Sequence, residues 1–344
     1  MKVFEGYQHG INLGGWLSQR VADTKEHFDT FITEEDVNTL ASWGLDHLRL
    51  PVDYDTIETD DGEIIEKGYK YIDNCIEWCR KYNLNTVIDL HRTVGYMFDS
   101  DVESDPLIFF KDKGLQDRFI TIWKRLATRY EKYSDSVAFE LLNEVVSEEV
   151  VEAWNEIAHR TMDAIREIAP DTYLIMGGVN YNSVTSVPLL GAPYDDKTIF
   201  NFHCYEPLVF THQKAPWMPT MRKDLTVNYP DDLEYYRELS NQEVPNQKEA
   251  MFSPNLKEMG TDFFENLFIP AIKTAEKYDV ALYCGEYGCI DQAPVEDSVR
   301  WLKDITSVFD KYGIGRAIWT YKVRNFGLTD AHYDSVRKDM IKLL

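Results

Sequence analysis

The chain has 344 residues, 44% of them hydrophobic and 13% aromatic, enough to bury one large core or two ordinary ones. Its 36 lysines and arginines are outnumbered by 59 aspartates and glutamates, and the resulting net charge of −23 repels phosphate backbones and anionic surfaces. Nucleic acid and membrane are thereby excluded as partners, and a neutral or cationic ligand is expected. In chain order, eight short apolar or β-branched runs read as buried strands. They are GINLGGWL (10–17), LDHLRLP (45–51), NTVIDLH (85–91), VAFELLNE (137–144), TYLIMGG (172–178), IFNFHCYEP (199–207), ALYCGEYG (281–288) and RAIWTYK (316–322).

Amphipathic patterns lie between these runs. Tyr71, Ile72, Cys75, Ile76 and Cys79 form one apolar stripe over 67–83, and Phe119, Ile122, Trp123, Leu126 and Tyr130 form another over 115–133. Eight alternations of strand and helix in a chain of this length predict a single-domain (β/α)8 TIM barrel. The glycines of the first run lack the G-x-G-x-x-G order, so no dinucleotide cofactor is expected. The rhythm breaks between about Leu208 and about Met259, a stretch rich in Pro, Asn, Tyr and Trp. Barrel connections are usually short, so this roughly 50-residue insert after strand six reads as a lid or small subdomain on the C-terminal face of the barrel.

Cys75, Cys79, Cys204, Cys284 and Cys289 are odd in number and follow no C-x-x-C spacing, which argues against a disulfide framework or a structural zinc site. His203, Glu206 and His212 do not form a recognisable metal triad, and no metal is expected. The N-terminus lacks the apolar run of a signal peptide, so a cytoplasmic location is expected for the chain as written, and a secreted one if a signal was removed. A monomer is expected. The acidic runs ETDDGE (58–63) and DSDVESD (99–105) read as solvated faces.

Polar residues at the C-terminal ends of barrel strands point into the catalytic face. Those ends supply Arg49, His91, Asn143, Glu144, His203, Tyr205, Glu286 and Trp319. Two carboxyls carried by strands four and seven suit glycosidic hydrolysis, in which one acid protonates the leaving oxygen and the other carboxylate attacks the anomeric carbon or activates water. On this reading Arg49 and Tyr205 hold Glu286 ionised, His203 orients Glu144, Asn143 reaches a sugar 2-hydroxyl and Trp319 lies under a pyranose ring. Glu140 sits deeper in the barrel than Glu144 and is expected to pair with Arg49. Trp217, within the insert, is divided between sugar contact and packing.

The runs GINLGGWL, HLRLP, VIDLH, FELLNE, FHCYEP, YCGEYG and AIWTYK resemble glycoside hydrolase family 5 over residues 5–344. The segment FTHQKAPW (210–217) is similar to the endoglucanase branch that carries a subdomain after strand six. The resemblance implies a retaining barrel enzyme with Glu144 as acid/base and Glu286 as nucleophile, and with Arg49, His91, Asn143, His203, Tyr205 and Trp319 completing the catalytic set. It implies an endo-acting β-1,4-glucanase that also takes mixed-linkage β-glucan and needs no cofactor. A β-mannanase or glucomannanase, and an exo-acting β-glucosidase, are the alternatives within the fold. A non-catalytic carbohydrate-binding barrel is disfavoured, because both glutamates and their supporting residues are present together. Two departures stand out: Arg92 replaces a second His after strand three, and Leu208 and Val209 stand where relatives often carry aromatics.

Overall fold

Eight parallel strands close into one barrel in sequence order, with the first strand paired to the last. They are β1 (His9–Asn12), β2 (His47–Asp53), β3 (Asn85–Arg92), β4 (Val137–Glu140), β5 (Leu174–Gly177), β6 (Thr198–Cys204), β7 (Ala281–Tyr287) and β8 (Gly315–Ile318). The structure is a computed structural model that describes residues 1–98, 105, 107–245 and 251–344. All eight strands fall where the sequence places them, but six are shorter, four of them by three residues or more. β1 stops at Asn12, β4 at Glu140, β5 at Gly177 and β8 at Ile318. Beyond those ends the chain keeps single ties to its neighbours, such as Asn143 N to Leu90 O at 3.2 Å and Trp319 N to Tyr287 O at 2.8 Å, without a continuing ladder. Asn143, Glu144 and Trp319 are therefore carried on loops anchored at the barrel rim.

Long helices Glu66–Lys81, Lys113–Tyr130, Val151–Arg166, Thr261–Tyr278 and Val295–Tyr312 wrap the barrel, and both predicted apolar stripes are buried. One alternation fails. Between β5 and β6 the chain forms a 3-10 stretch, Val184–Leu190, instead of an α-helix, and it carries Pro188, which has no N–H to donate to a helix. The five cysteines are free and buried. The acidic run 58–63 also needs correcting, because Glu58 is only 1% exposed and accepts hydrogen bonds from Arg118 at 2.6 Å and Arg125 at 2.7 Å. Most of the run 99–105 lies outside the described residues.

The barrel interior changes character along its axis. At the N-terminal end Val87, Ala138, Ile175, Ile199, Ala281, Tyr283 and Ala317 pack with Phe4 and Tyr7 into a dry plug. Toward the C-terminal end the inward side chains are Asn12, Arg49, Asp89, Glu140 and Asn201, all fully buried. The stretch between β6 and the helix Thr261–Tyr278 contains the helix Leu233–Glu243 and is fastened to the helix Val295–Tyr312: Tyr229 N donates to Asp297 at 3.0 Å and its hydroxyl to Asp304 at 2.9 Å. Among the described residues no helix is long and apolar enough to cross a membrane.

Gly68 shows how tightly the outer layer fits. A Cβ at this helical position would stand 1.7 Å from the carbonyl oxygen of Thr56, a backbone atom that cannot swing away. Gly→Ala inside a helix normally stabilises by about 1 kcal/mol. Here Gly68→Ala is expected to have the opposite sign and to destabilise by about 1–3 kcal/mol, as overpacking does. A denaturation midpoint at or above that of the parent chain would show that the helix can move off Thr56.

Candidate active site

The site is organised around one guanidinium. β2 turns Arg49 into the barrel, where a positive charge with no water must spend every N–H on an acceptor. Nε and Nη2 donate to the two oxygens of Glu140 at 2.7 and 2.8 Å, which is the pairing the sequence leads one to expect. Nη1 donates to Asn12 Oδ1 at 2.9 Å and to Glu286 Oε1 at 2.8 Å. Nη2 also reaches Asn143 Oδ1 at 3.0 Å and Asp89 Oδ2 at 3.0 Å. Glu140 is further fixed by Asn201 Nδ2, which donates to Oε1 at 2.8 Å.

Glu286 and Glu144 face each other above this hub. Tyr205 donates its hydroxyl to Glu286 Oε2 at 2.9 Å, opposite the Arg49 contact. Among the described residues Glu144 pairs with no lysine or arginine, and it has His203 Nδ1 at 2.8 Å from Oε1. Its backbone carbonyl accepts from the Tyr96 hydroxyl, which in turn accepts from Val146 N at 2.9 Å. His203 Nδ1 also lies 3.8 Å from Glu286 Oε2, and the nearest ligand atoms of Glu144, His203 and Glu286 are all within 4.8 Å of one another.

Three carboxyls, those of Asp89, Glu140 and Glu286, thus contact one guanidinium, Glu144 faces Glu286 beyond it, and the four cannot all be ionised without water. Burial pushes Asp89 and Glu140 up to about 7 against the pull of Arg49. Burial, and then the charge of Glu286, hold Glu144 well above the ordinary carboxylate range. Burial raises Glu286 as well, but Arg49 and the Tyr205 hydrogen bond oppose it. The proton of the facing pair therefore sits on Glu144. Burial drives His91 down to about 3 and His203 well below the usual imidazole range, so both rings are neutral at pH 7.

The remaining predicted residues flank this centre. The His91 ring lies parallel to the Trp319 indole at 5.7 Å, with Nδ1 held by Asp89 at 2.6 Å and Nε2 3.3 Å from Gln19 Nε2. Arg92 turns away from the carboxyl pair: its Nε is 3.9 Å from Asp53 and its guanidinium lies over the Phe98 ring. Trp217 is 50% exposed and begins an aromatic row, 6.1 Å from His212 and 6.4 Å from Phe326, that reaches Tyr205 through ring contacts of 5.0 and 5.7 Å. The sequence reading missed Asn12, Asp89, Asn201, Gln19 and Phe326. The first three carried a signal, since each is a polar residue inside an apolar strand whose side chain must find a buried partner.

Glu144, His203 and Glu286 form the one set among the described residues whose ligand atoms come close enough to hold a metal ion. Arg49 already places a positive charge 2.8 Å from Glu286, so a cation there would meet repulsion where a metal centre needs uncompensated negative charge.

A closed (β/α)8 barrel with a facing carboxyl pair at its C-terminal rim has the arrangement that acid-assisted displacement requires. The chain belongs to the cellulase family, glycosyl hydrolase family 5, whose model matches residues 9–325, and it is a glycoside hydrolase. It is 43% identical over 312 residues to Cellodextrinase A of Ruminococcus flavefaciens, covering 90% of this chain and 84% of that protein. It is 42% identical over 341 residues to Endoglucanase C of Acetivibrio thermocellus, covering 98% of each. In fold it is similar to the endoglucanase Cel5A of Thermotoga maritima, with a TM-score of 0.74 and 24% identity over 98% of this chain and 97% of that one.

Burial makes Asp89 a weaker acid in the folded state, and this couples stability to pH. The unfolded chain releases this proton near the ordinary value of 3.8, whereas the folded state keeps it up to about 7. Between those values the folded state binds more protons, so this group's contribution to stability falls as pH rises. Relative to Asp89→Asn, which cannot ionise, the parent chain is expected to lose melting temperature between pH 5 and pH 8, and parallel melting curves across that range would remove Asp89 as the cause.

Proposed function

We propose that this hydrolase is an endo-acting β-1,4-glucanase that also accepts mixed-linkage β-glucan and works by double displacement with retention. The observation that carries the reading is the facing pair: Glu144 and Glu286 present oxygens within 4.8 Å of each other and have opposite partner sets. Retaining enzymes hold their carboxyls about 5–5.5 Å apart, whereas an inverting enzyme needs about 6.5–9.5 Å to seat a water between them. The names of the relatives, an endoglucanase and a cellodextrinase, point to β-glucan chains as substrate.

In the first step a Glu286 oxygen attacks the anomeric carbon while Glu144 gives its proton to the departing glycosidic oxygen. The glycosyl–enzyme ester forms as the interglucosidic C–O bond breaks. Glu144, now ionised, takes a proton from water in the second step, and that water oxygen displaces Glu286 from the anomeric carbon. Arg49 and Tyr205 keep Glu286 ionised and aimed between turnovers, and His203 fixes the Glu144 carboxyl. Trp319, stacked on His91, offers its other face to the sugar under attack, and Asn143 Nδ2, 3.5 Å from His91 Nε2, has a second hydrogen for the 2-hydroxyl of that sugar. The insert, with Trp217 at its edge, forms a wall of the cleft beside Tyr205. Arg92 acts farther along the cleft, above Asp53.

The name of the cellodextrinase relative favours a second reading, in which short soluble oligosaccharides are preferred over polymer. Time-resolved product analysis on barley β-glucan, carboxymethylcellulose and mannan decides between them. Mixed short oligosaccharides from β-glucan are expected; monosaccharide alone would mean exo action, and a clear preference for mannan would sink the glucanase reading. Glu144→Gln and Glu286→Gln are each expected to lower turnover on β-glucan by about 10³-fold or more with the fold intact. On an activated aryl cellobioside, azide is expected to rescue Glu144→Ala as β-cellobiosyl azide. Formation of the α-azide from that variant would exchange the roles of the two glutamates.

A further inference from the structure

β4 ends at Glu140, so the sheet ladder does not carry Glu144 to its place; the loop 141–147 does. Three ties bracket Glu144 along that loop: Trp123 Nε1 donates to Leu141 O at 3.0 Å, Asn143 N to Leu90 O at 3.2 Å and Tyr181 N to Val145 O at 3.0 Å. The Tyr96 hydroxyl reaches the residue itself. It donates to the Glu144 carbonyl and accepts from Val146 N at 2.9 Å, bridging two peptide groups across Val145. A hydroxyl can donate and accept through one oxygen, which no apolar ring can do. Tyr96 thereby does for this stretch what a neighbouring strand does elsewhere in the barrel.

The hydroxyl is fixed because its ring is. Tyr96 closes a tight turn after β3, in which Thr93 N donates to Tyr96 O at 3.3 Å and Tyr96 N to Thr93 O at 3.0 Å. Gly95 in that turn has φ of 76°, and a Cβ there would stand 2.4 Å from Leu115 Cδ1, so the turn lies directly on the helix Lys113–Tyr130. The Tyr96 ring is 1% exposed and packs edge-on to Phe110 at 5.3 Å and against Phe109 at 6.0 Å. From Phe109 the ring contacts continue to Phe119 at 5.4 Å and on to Trp154 at 6.5 Å, whose indole N–H donates to Gly177 O, at the end of β5, at 2.9 Å. The Glu144 backbone is thus tied to both strands that flank β4, to β3 through the turn and to β5 through the aromatic column. Its carboxyl is held separately, by His203. Tyr96 is too deeply buried to touch a sugar, so any part it has in the reaction is played through Glu144.

Resting on the retaining-glucanase reading, in which Glu144 protonates the departing oxygen, we propose that Tyr96 is a positioning residue for that proton transfer. Its hydroxyl fixes the Glu144 backbone at the point from which the carboxyl reaches the glycosidic oxygen. A proton donor works only within about 2.6–3.2 Å of its acceptor, and a displacement of about 1 Å can cost about 10²-fold in rate. Without the hydroxyl, Glu144 O and Val146 N lose their shared buried partner and the peptide groups on either side of Val145 can turn. Glu286, held by Arg49 and Tyr205 from other strands, stays as it is.

Tyr96→Phe, which removes the hydroxyl and keeps the ring, is compared with the parent chain on phenyl, 4-nitrophenyl and 2,4-dinitrophenyl β-cellobioside. On these substrates kcat/KM reports the steps up to the glycosyl–enzyme. Phenoxide needs a proton as it leaves, whereas dinitrophenoxide departs without one. In Tyr96→Phe, kcat/KM on the phenyl glycoside is expected to fall about 10–100-fold and on the dinitrophenyl glycoside to stay within about twofold. Added to Glu144→Ala, the same substitution is expected to change kcat/KM on the phenyl glycoside by less than about twofold, because the group it positions is gone. Unchanged kinetics on all three substrates would overturn the assignment. An equal fall on all three, or additive effects of the two substitutions, would overturn it in favour of a structural role. Should Tyr96→Phe not fold, Phe110→Leu, which loosens the ring and keeps the hydroxyl, is expected to show the same dependence on the leaving group in milder form, and a uniform loss there would be equally fatal. If the parent chain cleaves none of the three, or Glu144→Ala loses as much on the dinitrophenyl glycoside as on the phenyl one, the reading of Glu144 as the acid fails first and takes the assignment with it.

Discussion

The buried guanidinium of Arg49 is the constraint on which the rest of the site depends. Taking one cation and its carboxyl partners out of water costs several kcal/mol per ion, and only complete hydrogen bonding offsets it. Each of its donor nitrogens has an acceptor, on β1, β3, β4, β7 or the loop after β4. One side chain thereby fixes the relative position of the strands that carry the working groups. Removing Glu140, Asn12 or Glu286 would leave a buried donor unpaired, so the polar layer resists piecemeal change in a way the apolar plug beneath it does not.

The same guanidinium divides two chemically identical side chains. Glu286 touches it and Glu144 does not, so the one is stabilised as an anion while the other feels mainly burial and its neighbour's charge. His203 preserves this asymmetry because burial keeps it neutral. A cationic imidazole 2.8 Å from Glu144 would stabilise the carboxylate and draw off the proton that acid assistance requires. Two residues of one type therefore play two parts, and the distance of each from Arg49 decides which.

The barrel was legible because apolar runs of strand and helix period alternate along the chain, and the facing glutamate pair because each glutamate stands at the end of an apolar run. Glu140 was legible as a partner of Arg49 because a carboxyl deep inside a barrel has nowhere else to go. Asp89, Asn12 and Asn201 were harder. Each sits singly in an apolar run, and only the closed barrel reveals that all of them meet one guanidinium or its Glu140 partner. Glu58 misled for a related reason: its neighbours in ETDDGE are acidic, but Arg118 and Arg125, both distant in sequence, draw it into the interior. Pro188 was the available sign that the fifth helix would fail. Nothing local marked the left-handed turn of Asn180, Tyr181 and Asn182 after β5, because it is held by tertiary hydrogen bonds, Tyr181 N to Val145 O at 3.0 Å and His203 N to Asn182 O at 2.7 Å, and not by glycine.

A second left-handed run, Val323, Arg324 and Asn325, stands after β8 with φ of 57°, 56° and 63°. It too is held from outside: Val323 N donates to Asp330 at 3.1 Å and Asn325 O accepts from Asp291 N at 2.7 Å. Arg324 reaches Gln19, which adjoins His91, and Phe326, just beyond the turn, joins the aromatic row to Trp217. Non-glycine residues in this region are held only where surrounding contacts exceed the strain. The two strained turns therefore bracket the carboxyl pair, one beside Glu144 and one beside the Trp319 side. A cleft whose rims are fixed this way does not need to close on its substrate to become ordered. On the proposed double displacement, binding energy in such a cleft goes into distorting a sugar between the two glutamates, where it lowers the barrier instead of merely tightening the ground state.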